Sequence, residues 1–256
     1  LSDRTRAIFV AHMLGNPVDM EPLMEFAQDH GLYVIEDACE ALGSTYDEQL
    51  LGTFGDMATF SFYPSHHMTT GEGGAVATNS AHLARIVCSL RDWGRDCRCT
   101  HESPPEGACG HRFDWEIPGL EEPYDHRYVY VEIGYNMKMT DVQAAIGLAQ
   151  LQKLPAFLEA RKQNFRKLYE GLIRHEAFLR LPTWHERADP AWFAFPLTVR
   201  QGAPFPRRDL ITFLEERNVE TRLLLAGNLV RQPGFRHINH RTVDNLPNAD
   251  RILRSS

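Results

Sequence analysis

Residues 57–78 read MATFSFYPSHHMTTGEGGAVAT. Two β-prone runs, residues 57–63 and 74–78, flank a turn with Pro64, adjacent His66 and His67, and Gly71, Gly73 and Gly74. Short runs of this composition bounded by Pro and Gly read as strands. Upstream, the apolar run Leu32–Ile35 ends in Glu36-Asp37, and residues 7–12 (AIFVAH) form a third strand candidate. Between them, Asp19–His30 carries Met20, Leu23, Met24 and Ala27 at helical spacing, with Gly31 placed to stop the helix. Downstream, Ala81–Trp93 reads as another helix. Strand, helix, strand with short connections predicts parallel pairing in an α/β layer. Ligands of such sheets bind beyond the carboxyl ends of the strands, where Asp37 and the loop after Tyr63 fall.

The chain has 256 residues and a net charge of −7. That balance, without a Lys/Arg cluster, argues against a nucleic-acid binder. No run approaches the roughly 18–20 apolar residues of a membrane span. No secretory signal is visible, so a cytoplasmic protein is expected. The first residue is Leu1, which suggests a processed, trimmed or lost start. Only four lysines occur (Lys138, Lys153, Lys162, Lys167), so residues 1–137 contain none. Five cysteines, an odd number without an export signal, read as reduced thiols or a metal site rather than a disulfide framework.

Residues 94–127 hold three cysteines, four prolines and no clear period, which marks an irregular insertion. Thr140 with Gln143 forms a capping box for a helix with Val142, Ala145, Ile146 and Ala149 on one face. Pro155 suits the first turn of a second helix through Leu158, Phe165, Leu168 and Leu172. Residues 191–199 (AWFAFPLTV) read as a strand, Arg208–Arg217 as a helix and Val219–Leu225 as a strand. Arg251–Ser256 offers no closing element. The division expected is a cofactor-binding domain over 1–150 and a linking helix plus smaller domain over 151–256.

A carboxylate closing an apolar strand needs a partner. For Asp37 that is a helix cap, an ion pair, or the cationic ring nitrogen of a pyridoxal-phosphate-type cofactor. A loop histidine pair is more often structural than catalytic. Metal ligation by both is disfavoured, because adjacent side chains on an extended segment point opposite ways.

Three segments, IEDACEALGS (35–44), TFSFYPSHHMTTGEGGAV (59–76) and IGYNMKMTDVQAAIGLAQL (133–151), together resemble the DegT/DnrJ/EryC1/StrS family of sugar aminotransferases. The resemblance implies the type I pyridoxal-phosphate aminotransferase fold, with a mainly parallel large-domain sheet and a C-terminal α/β domain. Both domains would be incomplete. The chain would be a fragment lacking an N-terminal segment with phosphate and ring-stacking contacts, and the last part of the C-terminal domain. Most members have Lys where this chain has His66, and the change to His marks sugar 3-dehydratases that use pyridoxamine 5′-phosphate. Imine exchange needs an amine, and no lysine lies near this loop. An imidazole can act there as a general base near neutral pH.

Cys39, Cys97, Cys99 and Cys109 resemble the four-cysteine signature of the iron–sulfur CDP-4-keto-6-deoxyglucose 3-dehydratases, the last interval being two residues longer. The set suits a [2Fe–2S] cluster. Structural zinc and unligated thiols remain open, and Cys88 reads as a buried helix position. The resemblance further implies His66 as base at the cofactor C4′ carbon, Asp37 on the pyridine nitrogen and Ser61 on the phosphate. Asn136 would reach the neighbouring subunit's cofactor in a homodimer. Glu40 stands where many members have Gln as a cofactor contact. The implied reaction removes the C3 hydroxyl of a CDP- or dTDP-linked 4-keto-6-deoxyhexose in 3,6-dideoxy-sugar and O-antigen synthesis. An NAD(P)H-dependent iron–sulfur flavin reductase would supply electrons. Alternatives are a cluster-free GDP-4-keto-6-deoxymannose 3-dehydratase, a sugar aminotransferase using another lysine, and a non-catalytic relative.

Overall fold

A computed structural model of the chain describes residues 1–96, 110–242 and 244–256. In order, the elements are β1 (Ala7–Ala11), α1 (Met20–Asp29), β2 (Tyr33–Asp37), β3 (Thr45–Tyr46), β4 (Gln49–Leu50), β5 (Met57–Ser61), β6 (Gly74–Ala77) and α2 (Ala81–Arg91). Beyond residue 110 follow α3 (Asp141–Leu151), α4 (Leu154–Leu172), β7 (Leu179–Arg180), β8 (Ala188–Asp189), β9 (Thr198–Val199), α5 (Arg207–Glu215) and α6 (Pro247–Ser255).

The main sheet has the order β1-β2-β5-β6. The expected parallel pairing holds for β1 with β2 and β2 with β5. β6 instead runs antiparallel to β5. A parallel partner needs a crossover, usually helical, and residues 62–73 contain no helix. The fold is thus α/β with a mainly parallel sheet.

Alternation divides the strands between two environments. Val34, Glu36 and Ala58 are buried, whereas Phe9, Tyr33 and Val76 lie on the opposite face and are exposed. The covered side leads into a core of Met20, Ala38, Ala41, Tyr46, Leu51 and Ala188, with Leu23, Met24 and Phe60 packed against it. α1 enters this core because Met20 and Ala27 share its apolar stripe, as the spacing predicts. Gly31 stops α1 with φ +60.

β3 pairs with both β4 and β8, so residues 45–46 are joined to 188–189 across the expected 150/151 division. Thr140 and Gln143 form the reciprocal capping box of α3. Val142 on that helix is 72 % exposed. On α4, Phe165 stacks on Trp192 with parallel rings 4.3 Å apart, and Trp184 meets both edge-on.

Three expectations need correction. Of residues 191–199 only Thr198–Val199 is a strand. Pro196 has no N–H for a ladder, and residues 191–193 form a strap held by other parts of the chain. Ala191 N–H donates to Ser44 Oγ (2.9 Å) and Phe193 N–H to the Leu14 carbonyl (2.8 Å). Val219–Leu225 is irregular: Asn218 and Leu225 have positive φ, and among the described residues no strand pairs with it. Residues 247–255 are a helix, where no closing element was expected. Pro247 opens it, and Arg207 donates to the carbonyls of Leu253 (3.0 Å) and Ser256 (2.8 Å).

Candidate active site

Asp37 is the last residue of β2 and stands in register with Ala11 and Thr59. Its Oδ1 accepts from the Cys39 N–H (3.1 Å) and from Thr59 Oγ1 (3.4 Å). Both bonds fall on Oδ1. Ser61 ends β5 two residues beyond Thr59, and its Oγ accepts from the Tyr63 N–H (3.2 Å). Parallel pairing thereby brings Asp37, Cys39, Thr59 and Ser61 to one end of the sheet.

The turn after β5 separates the two histidines. The His66 N–H donates to the Tyr63 carbonyl (3.0 Å). Its imidazole lies 5.0 Å from the Phe193 ring and 6.1 Å from that of Tyr63. Its Nδ1 is buried with no hydrogen-bond partner among the described residues. His67 is 2 % exposed, and its ring lies 6.4 Å from the same Phe193 ring. Its Nε2 donates to the Ala191 carbonyl (2.5 Å). Burial pushes the His67 imidazole down to about 4, against the Ala191 bond and with the nearby Arg161 and His66 adding to the effect. A neutral, tied His67 serves structure. Nδ1 of both imidazoles is buried without a hydrogen-bond partner among the described residues, so what marks His67 as structural is its burial and the bond from its Nε2 to Ala191.

Glu36 and His12 form a buried pair that composition and motif did not reveal. His12 Nε2 meets Glu36 Oε2 at 3.2 Å, and neither side chain is exposed. The Glu36 carboxylate also accepts the N–H groups of Gly52, Phe54 and Gly55, each at 2.8 Å. Burial pushes its pKa up, but His12 and these three amides outweigh that and leave it below the usual carboxylate range. Val18 N–H approaches His12 Nδ1 (3.4 Å), so Nε2 is the donor to Glu36. Strand alternation was the available signal: Glu36 shares the face of Val34, opposite Asp37.

Glu40 uses Oε2 to accept the Leu14 N–H (2.7 Å) and so anchors the turn at Met13–Gly15. Gly15 in that turn has φ +85, and a Cβ there would meet the carbonyls of Ala191 and Glu40 at 2.9 Å. Cys39 is a partly buried free thiol whose Sγ lies 3.7 Å from Thr59 Oγ1. Burial and the adjacent Asp37 push it up to about 11. Cys97, Cys99 and Cys109 lie outside the described residues. Among the described residues no three His, Cys, Asp or Glu side chains form a metal-sized group. Cys88 is partly buried on α2. Asn136 is exposed and bridges to Asp92.

Two of the four lysines are paired with carboxylates and the other two are exposed. Lys138 pairs with Asp92 and sits 3.5 Å over the Trp93 ring. Lys162 pairs with Asp189, and Lys153 and Lys167 are exposed on or beside α4. The described residues fit a pyridine-type cofactor bound without a covalent lysine link. They provide a strand-end carboxylate, a hydroxyl at the neighbouring strand end and an imidazole with an orphaned, buried nitrogen.

A family model described as the DegT/DnrJ/EryC1/StrS aminotransferase family matches residues 1–256. The lipopolysaccharide biosynthesis protein RfbH of Salmonella typhimurium is 47% identical over 256 residues, which is 100% of this chain and 58% of that protein. The dTDP-4-dehydro-2,6-dideoxy-D-glucose 3-dehydratase of Saccharopolyspora spinosa is 49% identical over 250 residues, covering 98% of this chain and 54% of that one. The solved E. coli GDP-4-keto-6-deoxy-D-mannose-3-dehydratase with bound hydrated PLP superposes with a TM-score of 0.82 at 25% identity, over 100% of this chain and 62% of that one. The chain therefore spans little more than half the length of these relatives. Among the described residues, no helix is long and apolar enough to cross a membrane.

Proposed function

The chain belongs to the DegT/DnrJ/EryC1/StrS aminotransferase family, and from that premise we propose that it acts as a pyridoxamine-phosphate-dependent 3-dehydratase of a nucleotide-linked 4-keto-6-deoxyhexose. The observation that carries the reading is His66, at the position where most family members have lysine, with a buried and unpartnered Nδ1. Lys138, the remaining candidate amine, is committed to Asp92 and Trp93. The 49% identity to a named 3-dehydratase supports the same reading.

When bound, the cofactor supplies a primary amine for the sugar ketone and a ring that accepts electrons. Asp37 would hold the pyridine nitrogen protonated, because a carboxylate beside it favours the cationic ring. Ser61 Oγ donates to the phosphate. His66 would take a proton from the cofactor C4′ carbon. Phe193 and Tyr63 flank the imidazole and limit its rotation and its contact with water.

Cys39, Cys97, Cys99 and Cys109 would hold a [2Fe–2S] cluster that passes single electrons from a separate iron–sulfur flavin reductase. Cys39, two residues from Asp37, would bring the cluster beside the cofactor. CDP- or dTDP-sugar is the proposed substrate, with 3-deoxy and 3,6-dideoxy sugars, including those of O-antigens, as products. A cytoplasmic homodimer would place Asn136 at the neighbouring cofactor. The likeness to the solved GDP-sugar enzyme supports a second reading, a cluster-free dehydratase.

Two measurements test the proposal. His66→Lys should gain a new absorption band on adding pyridoxal phosphate and lose dehydration. A variant that instead forms a 4-amino sugar as efficiently as the wild type would return the chain to the aminotransferases. Iron and sulfide in anaerobically purified protein support the cluster reading; their absence with intact dehydration supports the cluster-free one.

A further inference from the structure

α4 carries its apolar side chains at Leu158, Phe165, Leu168 and Leu172, and Arg161 interrupts that stripe three residues after Leu158. A guanidinium in an apolar stripe costs desolvation unless its donors are met. Burial alone holds Arg161 below the usual arginine range, and no carboxylate lies within ion-pair distance of it among the described residues. Its donors go to backbone carbonyls. Nη1 reaches the oxygens of Trp192 (3.3 Å) and Phe193 (3.1 Å), and Nη2 reaches that of His66 (3.5 Å).

These acceptors come from two segments distant in sequence. One is the turn that presents His66. The other is the strap whose Phe193 ring lies 5.0 Å from the His66 imidazole. The fork of a single guanidinium therefore sets the backbone of the imidazole and the backbone of the ring that packs on it. Phe165, one turn along the same helix, stacks on Trp192 and gives the strap a second contact with α4. An ammonium could carry the charge but not span both segments in a fixed plane.

We propose that Arg161 is a positioning residue for His66: it clips the His66 turn to the 191–193 strap and so fixes the direction of the imidazole. The proposal rests on His66 being the base. Misplacing a reacting group by about 1 Å costs on the order of 10²-fold. No contact of Arg161 with cofactor or substrate is involved.

The test follows exchange of the C4′ hydrogen of bound pyridoxamine phosphate with heavy water, by NMR on purified protein. Arg161→Met should slow exchange by roughly 10- to 100-fold with cofactor affinity unchanged, and Arg161→Lys should recover part of the loss. The double variant Arg161→Met/His66→Asn should exchange no more slowly than His66→Asn alone, because the arginine acts only through the histidine. Wild-type exchange in Arg161→Met overturns the proposal. So does a double variant slowed by the full product of the two single effects. Should Arg161→Met not fold, Phe193→Leu removes the packing ring and leaves the carbonyls in place; unchanged exchange there overturns the proposal equally. If His66→Asn itself keeps wild-type exchange, the base assignment has failed instead, a result visible without any Arg161 variant.

Discussion

The closed floor of the site and its open mouth use the same residue types in opposite ways. On the floor, Glu36 holds three amides and His12, and His67 holds Ala191 from a position 2 % exposed. At the mouth, the sequence neighbours of these two residues, Asp37 and His66, keep capacity to spare. A strand sends consecutive side chains to opposite faces, as at Glu36 and Asp37, whereas in the turn the two histidines differ in burial while both rings meet Phe193. One residue of each pair is tied to the fold, Glu36 by His12 and three amides and His67 by Ala191, although His67 Nδ1 is unpartnered like that of His66. Polar residue type alone does not distinguish these roles; burial together with the hydrogen bonds made does.

The contrast breaks first on catalysis. His66→Asn should lower dehydration by about 10²- to 10⁴-fold, the usual worth of a general base, with the midpoint of thermal unfolding little changed. Glu36→Ala should do the reverse in kind, destabilising the fold by roughly 3–5 kcal/mol, as removal of one partner of a buried pair does. Urea denaturation reads this loss; a variant as stable as wild type would mean that the floor is not held by this carboxylate.

Acidification sharpens the same contrast. The folded state holds His67 at about 4, below its usual value of about 6.5. Between those values the unfolded chain binds the proton and the folded chain does not, so stability falls as pH falls, by roughly 3 kcal/mol in all. The loss is complete below about 4. Glu36, whose folded value is lowered, adds its own loss at more acidic pH, as it protonates. Unfolding free energies across pH 7 to 4 should therefore slope downward in the wild type and be flatter in His67→Gln. The smallest effects concern the thiols of α2 and the insertion. Cys88→Ser should leave iron content unchanged, whereas Cys97→Ser should lose iron and reductase-coupled product yet keep C4′ hydrogen exchange.

Periodicity made the strands ending at Asp37 and Ser61, helix α1 and the capping box of α3 legible, because each depends on residues near in sequence. The strap at 191–193 was not legible. Its partners Ser44 and His67 lie 147 and 124 residues away, and they are side chains rather than a ladder. Hydrophobicity there records burial against Phe165, not a strand. The candidate site divides in the same manner. Asp37 and Ser61 close β2 and β5 and His66 lies in the turn that follows, positions the strand pattern made readable, while their roles toward a cofactor are proposals. The use of Glu40 on Leu14 and the clip made by Arg161 depend on tertiary contacts with no local signature.

The most direct test of the central claim is C4′ hydrogen exchange of bound pyridoxamine phosphate, compared between His66→Asn and His67→Asn in samples matched for folded fraction. Exchange should be lost in His66→Asn and retained by the folded part of His67→Asn. Retention in the first with loss in the second would contradict the division of labour between the two histidines.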